Sequence, residues 1–335
     1  MLNNNFSAFV IKEADGCFQK IIEKKPFEKL YDNEVLIKVR YSSLNYKDTL
    51  SSTGRRGVTR KYPHTPGIDA AGIVASSKSK SFSEGEEVLV TGYDLGMNTP
   101  GGFAEYIKVP HNWIVKLPNN LSLKESMIFG TAGFTAALAL YKLQQFGLKF
   151  PEEELLVTGA TGSLGSMAIA ILSQAGYKNI VASTGKIDKA DFLKNLGATL
   201  ILDRKNNEID DKSNKPMLKG RWSGVIDSVG GNILATAIKS VKYGGGIAAC
   251  GLTQSFDFKT TVYPFILRSV NLVGIDSCMC PMDTRLRIWE KLSGEWKIKT
   301  LNYMHKEISL KELEKNINIM LEGKSTGRVI INLEL

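Results

Sequence analysis

The residues with the clearest chemical reading form the run Leu155-Leu156-Val157-Thr158-Gly159-Ala160-Thr161-Gly162-Ser163-Leu164-Gly165. An apolar segment leads into a turn with glycines at 159, 162 and 165, and a helical run, Ser166 to Ala175, follows and stops at Gly176. Glycines so spaced let the backbone approach a pyrophosphate, while the free N–H groups and dipole at a helix start favour an anion. Taken alone, the pattern also suits tight packing of a strand on a helix. At the first strand of a βαβ series it points to a dinucleotide.

A second group bears on which dinucleotide. An NAD enzyme usually places Asp or Glu about 20 residues past the loop, for the ribose hydroxyls. Here the second strand ends in Ser183-Thr184-Gly185-Lys186, with no acid before Asp188. A hydroxyl and an ammonium suit a 2′-phosphate, and Arg204, just after the third strand, can add a planar guanidinium. Surface solvation is the alternative for either cation; both together with the missing acid favour NADPH over NADH.

The elements that must position these groups follow from the pattern of apolar runs. From Leu155 onward short strands alternate with helical segments: Leu155 to Thr158, Ile180 to Ser183, Thr199 to Leu202, Val225 to Ser228, Ile247 to Cys250 and Asn271 to Ile275. Buried strands joined by helical crossovers predict a doubly wound parallel sheet of the Rossmann type. Before it, Glu34 to Tyr41, Gly72 to Ser76, Glu87 to Thr91 and Ala104 to Val109 read as strands of a compact, barrel-like β domain. A helix is expected from near Ser122 through Tyr141. The last strand, Arg328 to Leu333, needs a partner and is assigned to the first domain, which makes that domain discontinuous. The expected division is 1–125 with 277–335, against 126–276.

Composition narrows the class. The 335 residues are 43% apolar and 23% charged, which suits two folded domains. The net charge of +9 comes from lysines interleaved with carboxylates, and no nucleic-acid motif accompanies them. No targeting segment is readable at the start, and the weakly polar stretch from Met127 to Tyr141 is too short for a bilayer, so a cytoplasmic enzyme without a membrane or nucleic-acid partner is expected. Cysteines 17, 250, 278 and 280 form neither a disulfide framework nor a zinc knuckle. An exposed edge strand near Asn271 to Ile275 would invite pairing in a homodimer.

Several segments in this order resemble the acrylyl-CoA reductase family, a zinc-free, quinone-oxidoreductase-like branch of the medium-chain dehydrogenase/reductase superfamily. They are Ser42-Ser43-Leu44-Asn45-Tyr46-Lys47-Asp48, Pro66-Gly67-Ile68-Asp69, Gly130-Thr131-Ala132-Gly133-Phe134-Thr135-Ala136, Tyr243-Gly244-Gly245, Ala248-Ala249-Cys250-Gly251-Leu252, Pro264-Phe265-Ile266-Leu267-Arg268 and Gly274-Ile275-Asp276-Ser277. The resemblance runs from about residue 8 to 333. It implies an α/β fold with a GroES-like β-rich catalytic domain beside the Rossmann domain, and NADPH-dependent reduction of acryloyl-CoA to propanoyl-CoA. By the same resemblance Tyr46, Thr161, Gly162, Ser163, Leu164, Thr184, Gly185, Lys186 and Arg204 are cofactor contacts. Leu252, Ile266, Ser277 and Arg328 would lie on the nicotinamide side. Ser163 stands where the family commonly has glycine; as a helix-start residue it is expected to cap the helix.

The zinc-dependent branch carries Gly-His-Glu where this chain reads Gly67-Ile68-Asp69, and His64, His111 and His305 lack the spacing of a tetrahedral site, so no metal is expected. A conjugated thioester accepts hydride at Cβ and must have its carbonyl oxygen polarised and its Cα protonated. Tyr46 is the candidate donor or orienting group, with a plain packing role as the alternative. Asn45 would either donate to an oxyanion or cap a turn; Asp48 and Asp69 are expected to anchor backbone. Arg55, Arg56, Arg60 and Lys61 form a basic loop that is either solvated or meets the phosphates of coenzyme A. Competing functions are a quinone or enone reductase with no coenzyme A requirement, and a nucleotide-binding protein without turnover.

Overall fold

The computed structural model describes residues 5–55, 57–148 and 152–335. The chain divides into two compact units: one runs through Thr131 and takes in Cys278–Ser293 and Leu301–Leu335, and the other holds Ala132–Ser277 and Gly294–Thr300.

The first unit opens with an antiparallel hairpin of β1 (Asn5–Ala14) and β2 (Cys17–Pro26), closed by Asp15 and Gly16, which both have positive φ. Asp-Gly supplies the backbone that a two-residue hairpin turn requires. There follow β3 (Glu34–Leu44), α1 (Tyr46–Ser51), β4 (Asp69–Ser77), β5 (Glu87–Thr91), β6 (Tyr106–Pro110) and β7 (Val115–Lys116). Alternating burial along these strands, such as Val35, Ile37 and Val39 in β3, builds one apolar cluster with Val88, Val90, Ile107 and Val109.

The helix α2 (Leu123–Gln145) starts at a reciprocal cap, in which Ser122 Oγ and the Glu125 carboxylate exchange hydrogen bonds with each other's backbone N–H. It is longer than the stretch expected from sequence. By length and hydropathy alone it could cross a membrane, yet 83% of its most apolar window is buried within the protein, as in a core helix. Its helical dihedrals are interrupted at Gly130, with φ 49° and ψ −157°.

The second unit contains β8 (Glu154–Val157), α3 (Ser163–Gln174), β9 (Asn179–Thr184), α4 (Ala190–Asn195), β10 (Leu200–Asp203), β11 (Trp222–Asp227), α5 (Gly231–Ser240), β12 (Val241–Ala249), α6 (Tyr263–Arg268) and β13 (Asn271–Gly274). The six strands pair parallel in the order β10-β9-β8-β11-β12-β13. The order reverses between β8 and β11, the switch point at which open α/β sheets bind ligands beyond their strand ends. Leu156, Val181, Val225 and Ile247 are buried and pack with Ile233, Leu234 and Ile238 of α5, so the strands read as nearly continuous apolar runs.

The returning chain adds α7 (Met282–Ser293), β14 (His305–Ile308), α8 (Leu313–Leu321) and β15 (Arg328–Asn332) to the first unit. The final strand lies between β14, to which it is parallel, and β3, to which it is antiparallel, within a sheet ordered β14-β15-β3-β4-β5-β7. Its fully buried Ile331 packs with Leu44, Ile308, Leu313 and Ile317. Sequence patterning alone gives neither β14 nor the first hairpin.

Candidate active site

In the second unit the turn after β8 is set by its glycines. Gly159 has φ 60°, and its carbonyl accepts from the Gly162 N–H at 2.9 Å. A Cβ on Gly165 would lie 2.7 Å from Ala160 Cα, a backbone clash that no rotamer relieves. The absence of that carbon is what brings α3 close to the strand. The capping expectation for Ser163 is corrected: Gly162, in extended backbone, is the N-cap, and Ser163 is the first residue of the helix.

At the switch point Thr158 Oγ1 donates to Asp227 Oδ1 at 2.6 Å, and Asp227 Oδ2 accepts the Gly230 N–H at 2.8 Å. Ser228 Oγ donates to the Thr158 carbonyl at 3.0 Å. The ends of β8 and β11 are thereby tied beside the glycine turn. Burial raises the Asp227 pKa, opposed by its hydrogen bonds to Thr158, Gly230 and Val229.

Thr184, at the end of β9, gathers the remaining cofactor candidates. Its hydroxyl lies 3.0 Å from that of Thr161 and accepts the Lys186 N–H at 3.0 Å, while its carbonyl accepts the Arg204 N–H at 2.9 Å. Gly185 and Arg204 are exposed and Lys186 is half-buried. Burial pulls the Lys186 pKa below its ordinary value; Asp188 opposes that and Lys189 adds to it. A turn whose glycines leave room for a pyrophosphate, flanked by two cations and no carboxylate at the end of β9, fits a dinucleotide with a further phosphate. Leu164 stands half-buried in the first turn of α3. Leu252 and Ile266 are 58% and 69% exposed, and Ser277 is half-buried.

In the first unit, Tyr46 opens α1 and is 42% exposed. The helix has only six residues and is held from beneath by two buried carboxylates. Asp48 Oδ2 accepts the Asn45 N–H at 2.8 Å, and Asp48 Oδ1 accepts the N–H groups of Gly67 and Ile68 at 3.1 and 2.9 Å. Asp69 takes Ser43 Oγ at 2.5 Å, Asn45 Nδ2 at 2.7 Å, Thr131 N at 2.9 Å and Thr131 Oγ1 at 2.6 Å. Burial is the main cause that raises the Asp48 pKa to about 7, with Asp69 adding to it and the three backbone donors opposing it.

The network sorts two of the candidates. Of the two readings of Asn45, the cap is the one the structure supports: Asn45 is the N-cap of α1, with Nδ2 on Asp69 and on the Ser43 carbonyl and Oδ1 accepting from Arg328 at 3.2 Å, so its amide is turned inward and positions the helix. Arg328 is fully buried. Its guanidinium donates to the carbonyls of Ile128, Met127 and Leu44 and lies 3.9 Å from Asp69, so it braces the chain around the start of α1. Burial lowers its pKa, while Asp69 and Asp48 oppose the shift. Gly130 belongs to the same network: a Cβ there would meet Arg328 Nη2, Asp69 Oδ2 and Ser43 Oγ, each at 2.5 Å.

Lys47, beside Tyr46, donates to Cys278 Sγ at 2.9 Å. Arg55, Arg60 and Lys61 are exposed, and Arg56 lies outside the described residues. Ile68 is buried at the position where the zinc-dependent branch has its histidine, and among the described residues no group of three or more His, Cys, Asp or Glu is placed to hold a metal.

Family models agree with this architecture. Residues 31–119 match the alcohol dehydrogenase GroES-like domain and residues 163–293 match the zinc-binding dehydrogenase family. A GroES-like β unit with a Rossmann unit defines an oxidoreductase of the medium-chain dehydrogenase/reductase superfamily. Putative quinone oxidoreductase YhfP of Bacillus subtilis is 46% identical over 307 residues, covering 91% of this chain and 92% of that protein. Its structure with NAD bound superimposes with a TM-score of 0.94, at 44% identity over 99% of this chain and 100% of that one. Acrylyl-CoA reductase AcuI of Ruegeria pomeroyi is 39% identical over 330 residues, 98% of this chain and 99% of that protein. The yhdH oxidoreductase of Salmonella enterica in complex with NADP has a TM-score of 0.93 at 38% identity, over 98% of this chain and 99% of that one. The chain belongs to the acrylyl-CoA reductase family, in the quinone-oxidoreductase-like branch of the superfamily.

The buried carboxylate of Asp48 carries a pH dependence. An acid whose pKa is higher in the folded chain makes the folded state the tighter proton binder. Its contribution to stability is therefore complete below the ordinary value of 3.8 and is lost as pH rises toward about 7. Denaturant unfolding across that window should show the unmutated protein losing more stability than Asp48→Asn. Parallel curves for the two proteins would show that Asp48 binds its proton no more tightly in the folded chain than in the unfolded one.

Proposed function

We propose that this enzyme uses NADPH to reduce the carbon–carbon double bond of a small unsaturated acyl-CoA thioester, converting acryloyl-CoA to propanoyl-CoA in the cytoplasm. The observation that carries the cofactor choice is the end of β9, which brings Thr184, Lys186 and Arg204 together and has no carboxylate of its own, while Asp203, paired with Thr184 from β10, accepts the Lys205 N–H. The substrate follows from near full-length similarity to a protein named acrylyl-CoA reductase.

The bound cofactor supplies a hydride. The glycine turn binds its pyrophosphate through backbone N–H groups at the start of α3, and Lys186 and Arg204 neutralise the 2′-phosphate. Tyr46 presents a hydroxyl that polarises or orients the acceptor, and the Asp48 and Asp69 networks keep it at the start of α1. Leu252, Ile266 and Ser277 are assigned to the nicotinamide side on the resemblance, and there the apolar pair would shield the reacting carbon from water. Arg55 is assigned to the coenzyme A phosphates.

A second reading, reduction of a quinone or free enone without coenzyme A, is favoured by the 46% identity to a putative quinone oxidoreductase. A non-catalytic nucleotide-binding role would leave the Tyr46 arrangement without a task. We also propose a homodimer joined through β13, the edge of the six-stranded sheet, whose Leu272 is 37% exposed.

Steady-state rates with acryloyl-CoA, a free enone and a quinone, each with NADPH and NADH, test the main reading. The highest kcat/KM is expected for acryloyl-CoA with NADPH, and it should survive exhaustive chelation. A preference for the quinone, or an activity lost to chelator and restored by zinc, would replace the proposal.

Arg55→Ala should weaken use of acryloyl-CoA roughly tenfold, the scale of one charge-assisted hydrogen bond, and leave the enone unaffected. Added salt should imitate the substitution. Equal effects on both substrates would return the loop to solvent.

Sedimentation equilibrium should give a dimer, and Leu272→Asp should shift it toward monomer. A monomeric unmutated protein would end the pairing model.

A further inference from the structure

We propose that Gly185 is a specificity-determining residue, whose missing side chain provides the seat on which the Arg204 guanidinium is held for a 2′-phosphorylated dinucleotide. The inference rests on the reading of this region as an NADPH site and goes beyond it, because it assigns the preference to an absent carbon as well as to two cations.

The geometry separates two reasons for a glycine. Gly185 is not among the glycines with positive φ, so its backbone is open to any L residue. What excludes a side chain is Arg204: a Cβ on residue 185 would stand 2.7 Å from its Nε and 3.0 Å from its Cδ and Cζ. The base of the arginine is fixed by its own N–H on the Thr184 carbonyl, and the guanidinium folds back over the next peptide. No carboxylate lies within ion-pair distance of that guanidinium among the described residues, whereas the half-buried Arg40 pairs with Glu334 and the half-buried Arg221 with Glu154. The result is an exposed guanidinium lying over residue 185, next to Thr184 and Lys186. A donor group already resting beside the site loses less freedom on meeting a phosphate than one that must be collected from solution.

The same distances make the test clean. The atoms in the way are the far end of a flexible side chain, so Gly185→Ala displaces Arg204 without straining the fold. NADP+ and NAD+ affinities are measured by calorimetry on the unmutated protein, Gly185→Ala, Arg204→Ala and the double variant, with thermal unfolding as a check on folding. Gly185→Ala is expected to weaken NADP+ roughly tenfold, up to the loss shown by Arg204→Ala, with NAD+ nearly unchanged. In the Arg204→Ala background the second substitution should add nothing. If Arg204→Ala weakens NADP+ and Gly185→Ala does not, the NADPH reading stands and the seat is refuted. Equal weakening of both cofactors by Gly185→Ala would refute it too, as a backbone effect. If the unmutated protein binds both cofactors alike and Arg204→Ala changes neither, the NADPH reading itself fails and takes the proposal with it.

Discussion

The carboxylate of Asp69 is the point on which the first unit turns. A buried carboxylate is tolerated only when its lone pairs are filled and its charge is opposed, because desolvation otherwise costs several kcal/mol. The groups that meet this demand come from far apart in the sequence: Ser43 and Asn45 after β3, Thr131 inside α2, and Arg328 at the start of the last strand. Satisfying one side chain therefore fixes where three segments pass. Once Asn45 is pinned, the first residue of α1 is placed, and the exposure of Tyr46 follows from that placement and not from anything about tyrosine.

The break in α2 has the same origin. A helix continuing through residue 130 would keep the Thr131 N–H for its own ladder; the left-handed turn at Gly130 releases it to Asp69. Broken helical hydrogen bonds are exchanged for a charge-assisted one, and the Arg328 guanidinium takes the Met127 and Ile128 carbonyls that the break leaves over. The second unit solves a similar problem at its switch point, where Asp227 binds Thr158 and the Gly230 N–H and so fixes two strand ends around the cofactor turn.

These dependencies explain what could be read from sequence. The six parallel strands and the glycine turn are local signals, since periodicity and composition within about ten residues specify them. The grouping of Thr184, Lys186 and Arg204 was legible for the same reason, because parallel pairing of β9 with β10 must bring their C-terminal ends side by side. The short β14 lacks a strong pattern and depends on β15 for pairing. The first hairpin carries an Asp-Gly turn signal, but β2 is Lys-rich with no fully buried face, so its strand pattern is weak. The amide of Asn45 says nothing about its direction, and the resemblance that singles out Arg328 says nothing about its burial. Both are set by partners distant in sequence, such as Asp69 for Asn45 and Leu44 for Arg328.

The glycines show most plainly how a shared letter conceals different physics. At 130 and 159 the backbone itself is left-handed, and substitution meets strain whatever surrounds it. At 165 the obstacle is the backbone of the turn, so a side chain would push α3 away from the strand and enlarge the anion site. At 185 neither applies, because the backbone is ordinary and the neighbour is a movable arginine. The first three are demands of the backbone and of its packing. The last bears only on where the Arg204 side chain lies, so a substitution there leaves the strands and the turn in place.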